Sequence, residues 1–186
     1  MSTPEKKEAH RGNKTVDAKS SAAAGLRELF IDELKDIIYA ERALVKALPK
    51  MANNATDPNL KSAIGEHVAV TEGQVDRLVQ VFQLLGESDR GKKCDAMEGL
   101  IREGENILEE TKPGPVRDAA IISASQKIEH YEIASYGTLV AFASLLGEDE
   151  VSELLKITLD EEKDADFKLT EAAYGSINLE ALEEGE

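Results

Sequence analysis

Hydrophobic residues recur along this chain at the spacing of an α-helix in four long stretches. Apolar positions three or four residues apart run over residues 26–52, 58–85, 116–146 and 148–174. Alternating runs of β-branched residues, which would predict strands, are almost absent. The pattern therefore predicts an all-α protein with four long helices.

Proline and glycine residues mark the predicted helix ends. Pro58 follows a threonine and an aspartate that can cap a helix, so we expect it at the first position of the second helix. Gly86 and Gly147 are expected to end the second and third helices. Pro49 is expected to break or kink the last turn of the first helix, because proline lacks the amide N–H that a helix interior needs.

The connections between the helices indicate how they are arranged. Short loops join the first helix to the second and the third to the fourth, whereas residues 87–114 form a long crossover with a short amphipathic helix of its own. This order is typical of a ferritin-like four-helix bundle. We assign residues 26–175 to the bundle, residues 1–25 to a disordered tail and residues 176–186 to an acidic tail that does not pack deeply.

The balance of charged residues narrows the function classes. With 37 acidic and 22 basic side chains the net charge is −15, so the bundle is not expected to bind nucleic acid. The basic N-terminal tail is expected to touch anions only weakly. No apolar run reaches the ~20 residues of a membrane span, and the N-terminus lacks an apolar signal segment. Cys94 has no second cysteine to pair with, which favours a reducing, cytoplasmic setting.

Acidic residues interrupt the apolar series at positions that face the predicted core. Each of the four helices has one such acid, although that of the second helix lies at the border of the inner face. The third and fourth helices each have another acid one turn away on the same face. The positions are Glu41, Glu72, Glu129, Glu132, Glu162 and Asp166.

Carboxylates contributed at similar depth by all four helices are typical of di-iron and di-manganese sites in helical bundles. Hard divalent ions accept carboxylate oxygens and offset charges that could not otherwise be buried together. The sequence therefore predicts a carboxylate site for iron or manganese, with one or two ions. The alternative, that these acids lie at solvated helix borders, stays open. So does the role of His67, which is either a ligand, a neighbour of the site or a core histidine, whereas His130 is expected on the surface or beside the site.

Three segments in order along the chain carry a resemblance to a known family. They are "CDAMEGLI", "QKIEHYEIASYGTL" and "LDEEKDADFKLTEAA". Through them residues 26–175 resemble the YciE/YciF family of bacterial stress proteins. The resemblance implies a fold similar to that of rubrerythrin and other ferritin-like proteins, a homodimer, and an association with general, osmotic or envelope stress. It also implies metal positions at Glu41, Glu129, Glu132, Glu162 and Asp166.

The second helix departs from the family pattern. Members read "HLEETE" or "HLEETH" where this chain reads "HVAVTE", so Ala69 and Val70 replace acids and only His67 and Glu72 remain. A mononuclear or weakly occupied site is therefore an alternative to a dinuclear one. Two functions follow: a metal-binding stress protein with oxidase- or peroxidase-type activity, or a non-enzymatic dimeric stress or interaction protein with a degenerate site. No residue is assigned a catalytic role.

Overall fold

The computed structural model describes residues 16–184, and its regular structure is helical throughout. No strand occurs among these residues, which confirms the all-α prediction. A five-residue π-helical turn, Ala173–Ile177, joins the last two helices. The α-helices are α1 (Leu26–Asn54), α2 (Pro58–Leu85), α3 (Asp95–Glu110), α4 (Pro115–Leu145), α5 (Asp149–Ala172) and α6 (Asn178–Glu184).

The four long helices form the predicted bundle. Helix α1 packs against α2 and α4, and α5 packs against α4 and α2, so each long helix has two neighbours around a common interior. Helix α3 lies in the crossover between α2 and α4 and packs on α4 and α1. None of the described helices combines the length and hydropathy needed to cross a bilayer.

The core follows the apolar stripes that the sequence predicts. On α1 the apolar residues that the helical period places on the inner face are all buried, namely Phe30, Leu34, Ile37, Leu44 and Leu48. The buried aromatic residues come from three of the four long helices. Those aromatic side chains are Phe30, Phe82 and Tyr136.

The joint between α1 and α2 is fixed by aspartates. Asp57 caps α2 by accepting a hydrogen bond from the backbone N–H of Leu60 at 2.8 Å, directly before the predicted Pro58. Asp118, from the first turn of α4, accepts from the backbone N–H groups of Thr56 and Asp57, each at 2.8 Å. The loop is thereby attached to α4, which sets where α2 begins relative to the rest of the bundle.

Pro49 does not break the first helix, although the sequence predicts that it breaks or kinks the last turn. Helix α1 continues through it to Asn54. The proline ring is exposed, whereas Met51 and Ala52 on the following turn are buried in the core. The burial of these residues offsets the one backbone hydrogen bond that proline cannot donate.

The two predicted tails differ in how far the structure describes them. Most of the N-terminal segment, residues 1–15, lies outside the described residues, and residues 16–25 are exposed and precede α1. At the other end the chain is helical up to Glu184. Helix α6 packs against α4 and buries none of its own side chains.

Candidate metal centre

Four glutamate side chains from three helices meet in the middle of the bundle. Glu41 comes from α1, Glu129 and Glu132 from α4 and Glu162 from α5, and none of them is more than 3% exposed. The period that buries the apolar stripe of each helix carries these acids inward with it. The site is therefore a consequence of the same packing that forms the core.

The glutamates and one histidine form two groups of potential ligand atoms that share Glu162. One atom each from Glu41, Glu132 and Glu162 lie within 4.8 Å of one another, and the same holds for His67, Glu129 and Glu162. Because a carboxylate has two oxygens, Glu162 can contribute to both groups at once. A shared carboxylate of this kind is how dinuclear sites in helical bundles join two ions.

His67 supplies the only imidazole of these groups within the described chain. Its Nε2 atom lies 3.5 Å from Oε1 of Glu129 and 3.9 Å from Oε2 of Glu162. Burial lowers the pKa of His67, and the nearby charge of Lys168 lowers it further. The imidazole is thus favoured in its neutral form, which is the form that binds metal ions.

Hydrogen bonds hold the carboxylates at two points. The hydroxyl of Tyr136 donates to Oε1 of the Glu41 carboxylate. The amide of Gln74 donates to Oε1 of Glu162 at 2.5 Å and to Oε2 of Glu161 at 3.2 Å. Arg77 binds both oxygens of Glu161 at 2.9 Å, so a guanidinium charge is connected to the site through Glu161 and Gln74.

Each of the four glutamates also has an oxygen with no hydrogen-bond partner anywhere in residues 16–184, and so does Gln74. Buried polar atoms are normally paired, and one left unpaired costs about 1–3 kcal/mol. All of these atoms are acceptors, so a cation would satisfy several of them together. They are Glu41 Oε2, Gln74 Oε1, Glu129 Oε2, Glu132 Oε1 and Glu162 Oε2.

The four glutamates bring like charges close together in the interior of the bundle. Burial, followed by repulsion from neighbouring carboxylates, raises the pKa of Glu41, Glu129 and Glu132 well above the ordinary value. Burial likewise raises the pKa of Glu162 to about 7. The four acids are therefore compatible with one interior only when they bind protons or share cations.

Two of the candidate positions lie apart from both groups. Glu72 is exposed on α2, because Thr71 and Gln74 occupy the inward face of that turn. Asp166 is half-buried at the edge between α4 and α5, where it accepts from the amide of Gln126 at 3.2 Å and lies 3.4 Å from Nε2 of the exposed His130.

Three residues around the carboxylates had weak signals in the sequence. His67 was left open there, and Gln74 and Tyr136 were not singled out. Gln74 lies two helical turns after His67, and Tyr136 one turn after Glu132, so the helical period would have placed both on the inner face. Their amide and hydroxyl groups did not distinguish them from ordinary boundary residues.

The two positions at which α2 departs from the family pattern, 69 and 70, lie in different surroundings. Ala69 is exposed, so an acid at that position would point away from the cluster. Val70 instead lines a cavity next to His67. Val70 is itself 37% exposed, so the substitution at position 70 changes the edge of this cavity and not the buried cluster.

A bundle of four long helices with buried carboxylates from three of them and a histidine from the fourth defines a ferritin-like helical protein with a candidate metal centre. Within that class, the chain belongs to the family described as "Domain of unknown function (DUF892)", whose model matches residues 25–182.

The relatives confirm the resemblance to YciF. Protein YciF of Escherichia coli (strain K12) is 45% identical over 159 residues, which is 84% of this chain and 95% of that protein. The crystal structure of the E. coli stress protein YciF superposes with a TM-score of 0.81 at 43% identity, covering 84% of this chain and 99% of that one. YcfI from Rhodopseudomonas palustris gives a TM-score of 0.80 at 42% identity and covers 82% and 98%.

Proposed function

We propose that this protein is a YciF-type stress-response protein that binds iron or manganese in the carboxylate cluster, with two ions as its complete state. The ions would give it an oxidase- or peroxidase-type activity. The observation that carries the proposal is the set of unpaired acceptor atoms on four buried glutamates.

Charge balance supports a pair of divalent ions. The four glutamates carry four negative charges when ionised, and two divalent ions carry the matching positive charge. His67, favoured as the neutral imidazole, adds a ligand without adding charge. Since isolated charges are very costly to bury, a neutral assembly is the state in which these side chains are stable at their depth.

The surrounding residues have distinct roles in this proposal. Glu162 would bridge the two positions, and the hydrogen bond from Gln74 would orient its carboxylate. Arg77 would act indirectly, because it binds Glu161, which accepts a hydrogen bond from the same Gln74. Tyr136 would orient the Glu41 carboxylate. When bound, iron or manganese would supply electrons for the reduction of dioxygen or a peroxide, and the side chains would bind and position the ions and exclude bulk water.

A second candidate function is a non-enzymatic stress or interaction protein that has kept the fold. The observation that favours it is that α2 contributes a histidine and an amide to the cluster but no carboxylate. Binding at one position only, or weak binding at both, would follow from this shortage of acids.

Anaerobic titration with Mn(II) or Fe(II) distinguishes the two functions. We expect the wild-type chain to bind two ions. Because Glu162 belongs to both groups, Glu162→Gln should weaken binding by about tenfold or more. Glu72→Gln is the matched control, since Glu72 is exposed, and it should bind like the wild type. Iron-loaded protein would then be exposed to oxygen or peroxide. Wild-type protein that binds only one ion, or none, of either metal would contradict the proposal and favour the non-enzymatic function.

A further inference from the structure

We propose that the cavity beside His67 is a binding pocket for a small organic carboxylate with an apolar body. Its carboxylate end would reach the position formed by His67, Glu129 and Glu162. This inference rests on the proposed metal site, because the carboxylate needs a cation there to bind.

The cavity has the size and walls for such a molecule. It lies among α1, α2, α4 and α5 and has a volume of about 180 Å³. An engineered apolar cavity of roughly 150 Å³ is large enough to hold benzene, so this one has room for an aromatic ring or a short alkyl chain. Of the thirteen residues that line it, seven are polar or charged and six are apolar: Leu48, Ala63, Ile64, Val70, Ala165 and Leu169.

The inner end of the cavity meets the candidate metal position. His67 and Glu129 belong both to the cavity lining and to one of the two ligand groups. The Oε2 atom of Glu129 has no hydrogen-bond partner within the described chain, although the side chain is only 3% exposed. Iron(II) and manganese(II) take about six ligands in octahedral sites, whereas this group offers three from the protein. Ligands from outside the protein would therefore complete the coordination of an ion there, and the cavity gives them a route to it.

Most of the charge at the rim of the cavity is balanced. Three acids lie there, and two of them form ion pairs: Glu161 with Arg77 at 2.9 Å and Asp164 with Lys168 at 2.6 Å. The third, Glu66, forms no salt bridge within the described residues, so the ionised rim carries one net negative charge. The inner end is different, because the glutamates there repel a carboxylate until a cation compensates them. Binding of the organic anion should thus depend on the metal.

Benzoate and its neutral isostere benzamide test this inference. Metal binding is first measured by Mn(II) titration, and ligand binding is then followed by the broadening of the ligand's ring-proton NMR signals. In Mn(II)-loaded protein we expect benzoate to bind with strong paramagnetic broadening, at least about tenfold tighter than benzamide, as one charge-assisted contact would give. In metal-free protein benzoate should not bind.

Two neighbouring positions on α2 provide a matched pair of variants. Val70→Phe fills the cavity and should abolish benzoate binding while Mn(II) binding persists, whereas Ala69→Phe adds the same ring on the exposed side and should leave both unchanged. Ala165→Leu fills the cavity from α5 and replaces Val70→Phe if that variant does not fold.

The experiments distinguish a failure of the pocket proposal from a failure of the metal proposal. Protein that binds Mn(II) but neither binds nor broadens benzoate would overturn the pocket alone. Equal benzoate affinity in Val70→Phe and Ala69→Phe would do the same, because binding would then lie elsewhere. Protein that takes up no Mn(II) would overturn both proposals.

Discussion

Glu132 illustrates how a single residue couples folding to cation binding. It is 1% exposed, and its Oε1 atom has no hydrogen-bond partner among the described residues. Burial raises its pKa, and Glu41, Glu162 and Glu129 raise it further in that order. The folded protein therefore gains stability when Glu132 is neutralised, whether by a proton or by a nearby cation.

This coupling predicts opposite effects of Glu132→Gln with and without metal. In metal-free protein near pH 8 the variant should be more stable than the wild type by about 1 kcal/mol or more, because it removes an acid whose ionisation the interior opposes. With Mn(II) at about a hundred times its dissociation constant, the wild type should gain about 2.7 kcal/mol and the variant less. Thermal melts with and without Mn(II) measure both effects. Glu72→Gln should stay within about ±0.5 kcal/mol of wild type in each condition, and an identical pattern in the two variants would contradict the prediction.

The raised pKa of the buried glutamates also predicts how metal-free stability depends on pH. Glu162 has a pKa of about 7 in the folded protein and about 4.3 when unfolded, so the folded state holds its proton more tightly. The stabilisation is complete below the unfolded value and is lost as pH rises through about 7. The pKa of each of the other three acids is raised as well, so each contributes a loss of the same sign.

Urea unfolding between pH 5 and pH 8 measures this dependence. Metal-free wild type should lose stability as pH rises, and Glu132→Gln should lose less because it has one titrating acid fewer. Saturating Mn(II) should reduce the loss, since bound cations compensate the ionised carboxylates. Metal-free stability that increases over the same range would contradict the prediction.

At the scale of elements, the helical period of apolar residues was sufficient to predict the four long helices and the crossover helix. It carried the first helix past Pro49 to residue 52, two residues short of the observed end at Asn54. On α2 the inward face near the site is polar, with Thr71 and Gln74 buried. The phase of the helix was therefore ambiguous in the sequence, and Glu72 was selected because it is an acid.

The same ambiguity did not affect the glutamates of α1, α4 and α5. Glu41, Glu132 and Glu162 are preceded and followed by clear core positions, so their direction could be predicted from the sequence. Their mutual distances could not, because those depend on how the helices are rotated and shifted against each other. The sharing of Glu162 between two ligand groups emerges only from the packed bundle.

The joint between α1 and α2 gives a prediction at this scale. Asp118 is 2% exposed and accepts hydrogen bonds from Thr56 and Asp57. Asp118→Ala should destabilise the protein by about 2–4 kcal/mol, because it leaves several donors without their acceptor. Chemical denaturation measures the loss, and Asp76→Ala, which removes an exposed acid from α2, serves as the control. Equal stability of the two variants would show that the loop does not depend on Asp118.

At the scale of the whole molecule, the distribution of charge favours one surface for self-association. Two copies that each carry −15 repel one another over most of their surface. Residues 133–147 contain no charged side chain, and the outer face of α4 exposes Ala134, Ala141 and Leu145 from this segment. Leu145 is 77% exposed and Val140 is half-buried, whereas Leu85 at the end of α2 belongs to the core.

We therefore propose a symmetric homodimer that packs the C-terminal half of α4 against its copy. Small side chains there allow two helices to approach closely, and a two-fold axis matches one uncharged face with itself. Light scattering at micromolar concentration should give about twice the chain mass of 20.2 kDa. Ala141→Glu places two like charges at the centre of the contact and should reduce the mass to that of one chain, while Ala69→Glu on the exposed face of α2 should not. A wild-type mass of one chain would contradict the dimer, and a dimer that persists in Ala141→Glu would assign the contact to another surface.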